Sequence, residues 1–285
     1  MNRCLRAMAL LLALLAVALP LTACTARDGR PVIAVTIPPE ADFVRAVVGE
    51  DYRILTLVPP GYSPESYEPT ARTMMDFAGA ALFLSIGMPV DEATLIPALG
   101  KGTRHLSLAE VARDVAPDLM IDGGRDPHIW LSPRRAAAMV SAIAEALSLL
   151  APDRAAVYRE NAAAYIAAIS EADGRIRAAL TEGGVTEFIV YHPAFGYFAD
   201  EYGLTMHALE AHGSEATAPD MAAMVELARE RGIRVIFYQA EADGRQAEAF
   251  AREIGGHAVQ LSPLAEDYIG NLEIMAEAIV AAKGE

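Results

Sequence analysis

Two histidines and a glutamate stand in loops of this sequence where they could bind a metal ion. His128 lies between two prolines in DPHIWLSP (residues 126–133), and His192 directly follows the apolar run EFIVY. Glu65 lies in SPESYEPTA, after the apolar run RILTLV. Imidazole nitrogens and carboxylate oxygens bind divalent transition metals. Taken singly, each residue also fits an ordinary solvated loop; taken together, the three are candidate metal ligands.

The position of these residues relative to the apolar runs favours a common cleft. In an open α/β sheet, the carboxyl ends of the strands face the ligand crevice. His192 and Glu65 both follow runs that are typical of buried strands. If the chain forms two lobes, the three loops would converge between them.

The N-terminal segment, residues 1–23, predicts an exported protein. It begins with Arg3 and Arg6 and continues with an apolar run that is too short to span a membrane as a helix. The sequence LTAC, which ends at Cys24, resembles a bacterial lipobox and implies cleavage before Cys24 and lipidation of its thiol. The alternative is an ordinary signal peptide that contains a cysteine. The lipobox predicts a lipid-anchored protein on the periplasmic or cell-surface side of the cytoplasmic membrane.

Cysteine and charge content restrict the site and its partners. Cys4 and Cys24 are the only cysteines, so the mature chain would have no thiol for a disulfide or a thiolate ligand. Any metal must therefore bind to His, Asp or Glu. The formal net charge of −15 becomes −17 when the two arginines of the signal are lost. Because phosphate binding needs clustered basic residues, we expect no nucleic-acid partner.

Short β-branched runs alternate with longer alanine-rich segments along the mature chain. The runs are apolar on both faces, which is typical of strands covered by helices. Several of the alanine-rich segments end at glycine, as helices often do. This alternation predicts an α/β fold with mostly parallel sheets. The predicted strands are VIAVT from Val32, RILTLV from Arg53, ALFLSIG from Ala81, EFIVYH from Glu187, IRVIFYQ from Ile233 and HAVQL from His257.

The middle of the chain lacks a strand pattern. Two consecutive helical patterns fill residues 132–183, and the second carries an apolar stripe. We expect a rigid helix of about seven turns that connects two lobes. The predicted boundaries are 31–150, 151–183 and 184–285 for the N-terminal lobe, the connecting helix and the C-terminal lobe; a single domain with a long surface helix is the alternative. The stripe consists of Tyr158, Ala162, Ile166, Ile169, Ile176 and Leu180.

Four motifs occur in the order and spacing of a known family. They are YEPT from Tyr67, DPHIWLSP from Asp126, YHPAFGYFADEYGL from Tyr191 and SPLAEDYIGNL from Ser262. The sequence resembles the metal-binding receptors of bacterial ABC importers for zinc and manganese, the cluster A-I or zinc-uptake type, over nearly the whole mature chain. The resemblance implies two α/β lobes joined by a long rigid backbone helix. It also implies a membrane permease as partner.

The resemblance further implies a set of ligands. His128 matches the family's ligand in its DPH motif, and His192 matches the third ligand. The family's first ligand is usually a histidine two residues before the tyrosine of YEPT, and here Glu65 occupies that place. Because a carboxylate can bind zinc, manganese or ferrous iron, we predict that Glu65 replaces the imidazole. The alternative is that this ligand is lost.

Two other departures from the family leave the fourth ligand and the metal selectivity open. The family often has an aspartate in its last loop, where this chain has Ser262, a poor ligand for such metals. Water, His212, Glu241 or Glu266 then remains for the fourth position. The histidine-rich loop that many zinc receptors carry before the DPH motif is missing here, since the segment before this motif, residues 120–125, is short and contains no histidine.

These features predict a substrate-binding receptor, not an enzyme, that captures one divalent metal between its lobes. Zn²⁺ is favoured because N/O sites generally bind it more tightly than Mn²⁺ or Fe²⁺, which stay alternatives. Delivery to the permease and action as a monomer are further expectations. Protons should compete with the metal through the imidazole range near 6.5.

Two other functions fit the same residues. Three ligands with an open fourth position also describe the zinc of a hydrolase, although the sequence has no H-E-x-x-H helix, G-x-S-x-G elbow or glycine-rich phosphate loop. A receptor for a metal chelate would place Tyr67, Trp130 and Phe195 around the pocket. Aromatic residues at such loops more often serve packing.

Overall fold

The chain alternates strands and helices along most of its length. The computed structural model describes residues 29–121, 123–210, 216–242 and 244–283, so the predicted signal peptide and Cys24 lie outside the described residues. The strands are β1 Val32–Val35, β2 Arg53–Thr56, β3 Leu82–Ser85, β4 Arg104–Ser107, β5 Met120–Ile121, β6 Gly124–Arg125, β7 Glu187–Val190, β8 Thr205–Ala208, β9 Val235–Gln239 and β10 His257–Leu261. The α-helices are α1 Pro38–Val48, α2 Ala71–Phe77, α3 Leu108–Val115, α4 Pro133–Leu150, α5 Ala155–Glu182, α6 Gly196–Tyr202, α7 Ala218–Arg231, α8 Arg245–Glu253 and α9 Tyr268–Lys283.

Two parallel four-stranded sheets form the centres of two lobes. The N-terminal sheet has the order β2-β1-β3-β4 and the C-terminal sheet the order β10-β9-β7-β8. Every neighbouring pair within both sheets is parallel. All four residues of β3 are buried, as its continuous apolar run indicates. The predicted fold class, α/β with two lobes of mostly parallel sheets joined by a long helix, is confirmed.

The six strands predicted from apolar runs are all present, and the strands that were missed lie at edges. β4 and β8 are the last strands of their sheets, and their sequences, RHLS and TMHA, contain polar residues. An edge strand needs no apolar covering on both faces, so its sequence can lack the continuous run. The other edge strands, β2 and β10, keep such a run and were predicted. The pair β5 and β6 is a two-residue antiparallel ladder within the segment that the sequence predicted as a short loop.

Helix α5 joins the two sheets and packs against helices from both. Its 28 residues span about 42 Å at 1.5 Å per residue. The predicted stripe faces inward, since five of its six residues are buried and Ile166 is partly buried. Tyr165 donates a hydrogen bond to Asp42 in α1, and Arg175 pairs with Glu273 in α9. The helix therefore contacts elements that belong to each sheet.

The last helix returns to the N-terminal sheet. Tyr268, at the start of α9, makes an edge-to-face contact with Phe43 of α1, with ring centroids 4.8 Å apart. Its hydroxyl donates to the carbonyl of Trp130 at 2.8 Å, and its N–H donates to Asp42 at 3.2 Å. One apolar core thus continues from the N-terminal sheet through the helices to the C-terminal sheet. Within the described ranges, no helix combines the length and apolar character needed to cross a membrane.

Candidate metal centre

The structure brings Glu65, His128 and His192 together between the two sheets. One ligand atom from each residue lies within 4.8 Å of the other two. Oε1 of Glu65 is 3.3 Å from Nε2 of His192 and 3.8 Å from Nε2 of His128. Donors of a tetrahedral zinc site, with bonds of about 2.0–2.2 Å, lie on the order of 3.3 Å apart. Small side-chain movements would therefore bring all three donors to bonding distance.

A tight turn after β2 presents Glu65. The N–H of Tyr67 donates to the carbonyl of Ser63 at 3.0 Å, which closes the turn around Glu65. The N–H of Glu65 itself lies 3.3 Å from Oγ of Ser63, which accepts its hydrogen bond. Further along, Thr70 caps the start of α2 by accepting from the N–H of Thr73. The turn and the cap hold the loop at both ends, so the carboxylate projects toward the cleft.

His128 is buried and oriented by Asp126. Oδ1 of Asp126 accepts hydrogen bonds from the backbone N–H of His128 at 2.9 Å and from its ring Nδ1 at 2.8 Å. This places the proton on Nδ1 and leaves the lone pair of Nε2 for the cleft. Asp126 is completely buried, and Gly196 packs so closely on it that an added Cβ would lie 2.5 Å from its Oδ2. Glycine at the start of α6 is what lets the carboxylate occupy this position.

His192 has an equivalent partner in Glu210. Its Nδ1 lies 2.7 Å from Oε2 of Glu210, two residues after β8, so its Nε2 also faces the cleft. Burial alone would lower the pKa of His192, but the hydrogen bonds with Glu210 and Glu65 outweigh burial and raise the pKa to about 9. Proton competition at His192 therefore extends above the imidazole range that the sequence predicted. The hydrogen bond from His192 also lowers the pKa of Glu65, against the effect of burial.

An inner pocket and a larger outer cleft adjoin these three residues. The inner pocket, about 10 Å³, is bordered by all three candidate ligands and has room for one small ion or water. The outer cleft, about 560 Å³, is bordered by Glu65 and His192 but not by His128. The inner pocket is therefore the place where all three donors can reach one ion.

Two side chains named as fourth-ligand candidates, Glu241 and Glu266, do not border the inner pocket. Glu241 lines the outer cleft, and burial raises its pKa. Glu266 lies at the surface and pairs with Arg45 at 2.7 Å. His212 lies outside the described residues. Ser262, where the family resemblance implies an aspartate, does not line the inner pocket either, although the nearby Pro263 and Leu264 do.

The aromatic residues considered for a chelate pocket serve mainly in packing. Trp130 and Phe195 are completely buried in the core. The ring nitrogen of Trp130 donates to the carbonyl of Pro263 at 2.8 Å, which ties the His128 segment to the last loop. Tyr67 packs edge-on against Tyr62, with ring centroids 5.1 Å apart. None of the three presents an open aromatic face to the outer cleft.

Sequence reasoning missed the two carboxylates that orient the histidines. Asp126 stands two residues before His128, and a carboxylate so close to a candidate ligand could have been noticed as its partner. Glu210 is 18 residues from His192, and its role depends on the unpredicted edge strand β8, which pairs in parallel with β7. No local signal in the sequence could have identified Glu210.

Comparison with known proteins agrees with the fold and the motifs. A family profile described as "Zinc-uptake complex component A periplasmic" (ZnuA) matches residues 33–282. A crystal structure of ZnuA is similar with a TM-score of 0.84 and 30% identity, covering 89% of this chain and 99% of that chain.

Curated relatives show the same likeness over different lengths. The high-affinity zinc uptake system protein ZnuA of Bacillus subtilis (strain 168) is 26% identical over 278 residues, which cover 88% of this chain and 86% of that protein. The zinc-binding protein AdcA of Streptococcus pyogenes serotype M3 (strain ATCC BAA-595 / MGAS315) is 27% identical over 266 residues, 83% of this chain and 51% of AdcA. The chain thus spans about half the length of AdcA. Since the profile covers nearly all of the described residues, the chain belongs to the ZnuA family of periplasmic zinc-uptake components.

Proposed function

We propose that this protein is an extracytoplasmic receptor that captures one divalent transition metal, with zinc favoured, and delivers it to the permease of an ABC importer. The observation that carries the proposal is the convergence of Glu65, His128 and His192 on one pocket. Each histidine has a carboxylate on Nδ1, an arrangement typical of metal-bound imidazole.

Zinc is favoured by the donor set and by the family. Two imidazole nitrogens and one carboxylate oxygen suit a borderline ion, and intrinsic affinity at such sites rises from Mn²⁺ through Fe²⁺ to Zn²⁺. With neutral imidazoles and one carboxylate, the bound ion and its three ligands would carry a net charge of +1. Mn²⁺ and Fe²⁺ stay alternatives because the oxygen donor of Glu65 also suits them.

Binding for transport is better supported than catalysis. Among the described residues, three carboxylates, those of Glu65, Glu210 and Glu241, and one guanidinium, that of Arg245, border the outer cleft. The excess of negative charge favours the approach of a cation. Family membership supports a receptor role and a permease as the partner. A zinc-dependent hydrolase is the alternative of a different class, and chelator-sensitive hydrolysis of ester or phosphoester substrates would support it.

Anchoring, assembly and lobe boundaries belong to the same proposal. A lipid on Cys24 would keep the receptor on the outer side of the cytoplasmic membrane, close to its permease. We propose that it acts there as a monomer. The boundaries 31–150, 151–183 and 184–285 describe the lobes by chain position, although α9 packs on α1 across them.

Metal titration tests the proposal. The mature domain from about Arg27 is stripped of metal and titrated with Zn²⁺, Mn²⁺ and Fe²⁺ against a competing chelator. We expect one tightly bound zinc in the wild type and strongly weakened binding in His128→Ala and His192→Ala. His257 is exposed, so His257→Ala is the control and should bind zinc as the wild type does. Unchanged affinity in both pocket variants would exclude this site.

A further inference from the structure

A side-chain amide also borders the inner pocket. Gln239 is the last residue of β9, at the carboxyl edge of the C-terminal sheet. It lines both the inner pocket and the outer cleft, as Glu65 and His192 do. The pocket therefore has an amide in addition to the carboxylate of Glu65 and the two imidazoles.

Among the described residues, the other groups that border the inner pocket are already hydrogen-bonded or lack a good donor for a divalent metal. Oγ of Ser63 accepts the hydrogen bond from the N–H of Glu65. The ring nitrogen of Trp130 can only donate, and it donates to the carbonyl of Pro263. The remaining neighbours are the apolar side chains of Pro64, Pro263 and Leu264.

The amide of Gln239 is uncommitted within the part of the chain that the structure describes. Its backbone carbonyl accepts from the N–H of Ala242, and its backbone pairs with Leu261 in the sheet. Its side chain makes no hydrogen bond to any of the described residues, although the residue is only partly exposed. A partly exposed amide can bond to water, so its oxygen stays available to a metal ion that enters the pocket.

We propose that the side-chain oxygen of Gln239 is a fourth protein ligand of the bound metal. This proposal rests on the proposed function, because it adds a donor to the site of Glu65, His128 and His192. The amide oxygen adds a ligand but no charge. It also makes the site richer in hard oxygen donors, which suit Mn²⁺ more than they suit Zn²⁺. Gln239 would thus act on selectivity as well as on affinity.

Two substitutions at this position test the proposal in opposite directions. Gln239→Leu keeps much of the side-chain volume and removes the donor. We expect it to lower Zn²⁺ affinity about tenfold or more, the order of loss seen when supporting groups of metal sites are removed, and to lower Mn²⁺ affinity further. Gln239→Glu replaces the amide oxygen by a carboxylate, and it should raise the affinity for both ions. Competition titration gives both numbers.

Gln260 provides matched controls. It is an exposed glutamine on the neighbouring strand β10 and lines neither cavity. Gln260→Leu and Gln260→Glu make the same chemical changes away from the pocket, so both should bind metal as the wild type does. If the Gln239→Leu protein binds Zn²⁺ and Mn²⁺ with wild-type affinity, the proposal is overturned. If Gln239→Leu does not fold, Gln239→Glu decides, and affinity no higher than that of Gln260→Glu overturns it.

Failure of this inference can be told apart from failure of the proposed function. If His128→Ala or His192→Ala weakens metal binding relative to the wild type but Gln239→Leu does not, the receptor site stands and Gln239 is not the fourth ligand. If the wild type binds no metal, or if both histidine variants bind as it does, the function itself is wrong and the Gln239 proposal falls with it.

Discussion

Glu65 stands where the family resemblance implies a histidine, and such an exchange would bear on which metals the site favours. Its carboxylate lies within 4 Å of Nε2 on both histidines. The hydrogen bond from His192 lowers the pKa of Glu65, so the group is an anionic oxygen donor at neutral pH. Oxygen donors favour Mn²⁺ and Fe²⁺ more than imidazole does. We therefore expect substitution of this residue to change the metal selectivity.

Restoring a histidine at this position should narrow the selectivity toward zinc. In Glu65→His we expect Zn²⁺ affinity to stay within about tenfold of the wild type, because imidazole is a good zinc ligand, and Mn²⁺ affinity to fall by much more. Competition titration with both ions measures the ratio. Glu68→His, an exposed position in the same loop, is the control. An unchanged ratio of the two affinities in Glu65→His would mean that Glu65 does not bind the metal.

The pKa of His192 predicts proton release on metal binding. Because this pKa is raised to about 9, His192 is protonated at pH 7 in the metal-free protein and must lose its proton to bind. Metal affinity should therefore rise with pH and level off above about 9. In Glu210→Gln, the amide oxygen can still accept a hydrogen bond from Nδ1 of His192, but the negative charge is gone. The substitution should therefore lower the pKa of His192 and reduce the proton release.

Calorimetric titration in buffers of different ionisation enthalpy measures the protons released. At pH 7 we expect about one proton from His192 in the wild type and clearly fewer in Glu210→Gln. Equal release by the two proteins would contradict the role assigned to Glu210.

The three candidate ligands could be identified from sequence, while their partners could not. Residue type and loop position, together with the family motifs, pointed to Glu65, His128 and His192. Glu210 follows β8 by two residues and Gln239 ends β9, so their positions depend on the order of strands in the C-terminal sheet. That order is a tertiary property which local spacing does not encode.

At the scale of elements, helix α6 contacts the carboxylate that orients His128. In Gly196→Ala, the new Cβ would push Asp126 away from its place. We expect about a 10- to 100-fold loss of zinc affinity, the range for lost partners of metal-bound histidine. Gly174→Ala is the control, since a Cβ there meets nothing within 4 Å in the described part of the chain. It should raise helix stability by up to about 1 kcal/mol and leave affinity unchanged.

Competition titration and thermal unfolding separate these outcomes. A Gly196→Ala protein that folds and binds zinc as the wild type does would show that α6 does not hold Asp126 in position.

A buried carboxyl joins strand β1 to helix α1. Oε2 of Glu40 accepts from the N–H groups of Thr36 and Ile37, both at 2.9 Å, and Oε1 has no partner among the described residues. Burial raises the pKa of Glu40 well above its usual value, and nearby Asp91 raises it further. The folded state thus holds a proton that the unfolded state has lost above about pH 4.5.

Stability should therefore fall as pH rises above the unfolded-state pKa of Glu40. The slope is at most about 1.4 kcal/mol per pH unit for one proton and persists until the folded pKa is reached. Glu40→Gln keeps an acceptor for both N–H groups and should flatten this slope. Glu92 is exposed, so the control Glu92→Gln should leave this slope unchanged. Denaturant unfolding between pH 5 and 8 gives the slopes, and equal slopes in wild type and Glu40→Gln would contradict the assignment.

Helices and central strands were predicted well because their patterns are local. The stripe of α5 and the apolar runs of β1, β3, β7 and β9 follow from burial on defined faces. The edge strands β4 and β8 contain residues such as Arg104 and His207, so their sequences resemble loops. Their pairing with β3 and β7 depends on tertiary contacts.

At the scale of the whole molecule, the metal would link the two lobes. Glu65 follows a strand of the N-terminal sheet, and His192 follows a strand of the C-terminal sheet. An ion bound to both stabilises only the folded arrangement, because the unfolded chain does not bring these residues together. Zinc at about 100 times its Kd should add about 2.7 kcal/mol to the free energy of unfolding.

Thermal unfolding with and without zinc measures this linkage. The midpoint should rise with zinc in the wild type, and His192→Ala should show little change. A chelator should reverse the rise. Equal rises in the wild type and in His192→Ala would mean that zinc stabilises the fold from another place.

The most direct test of the central claim is a crystal structure of the zinc-loaded protein with anomalous diffraction measured on both sides of the zinc absorption edge. We expect one strong anomalous peak in the inner pocket, about 2.0–2.2 Å from Nε2 of His128, Nε2 of His192 and a carboxylate oxygen of Glu65. A peak elsewhere in the molecule, or one bonded to only one of these residues, would contradict the account.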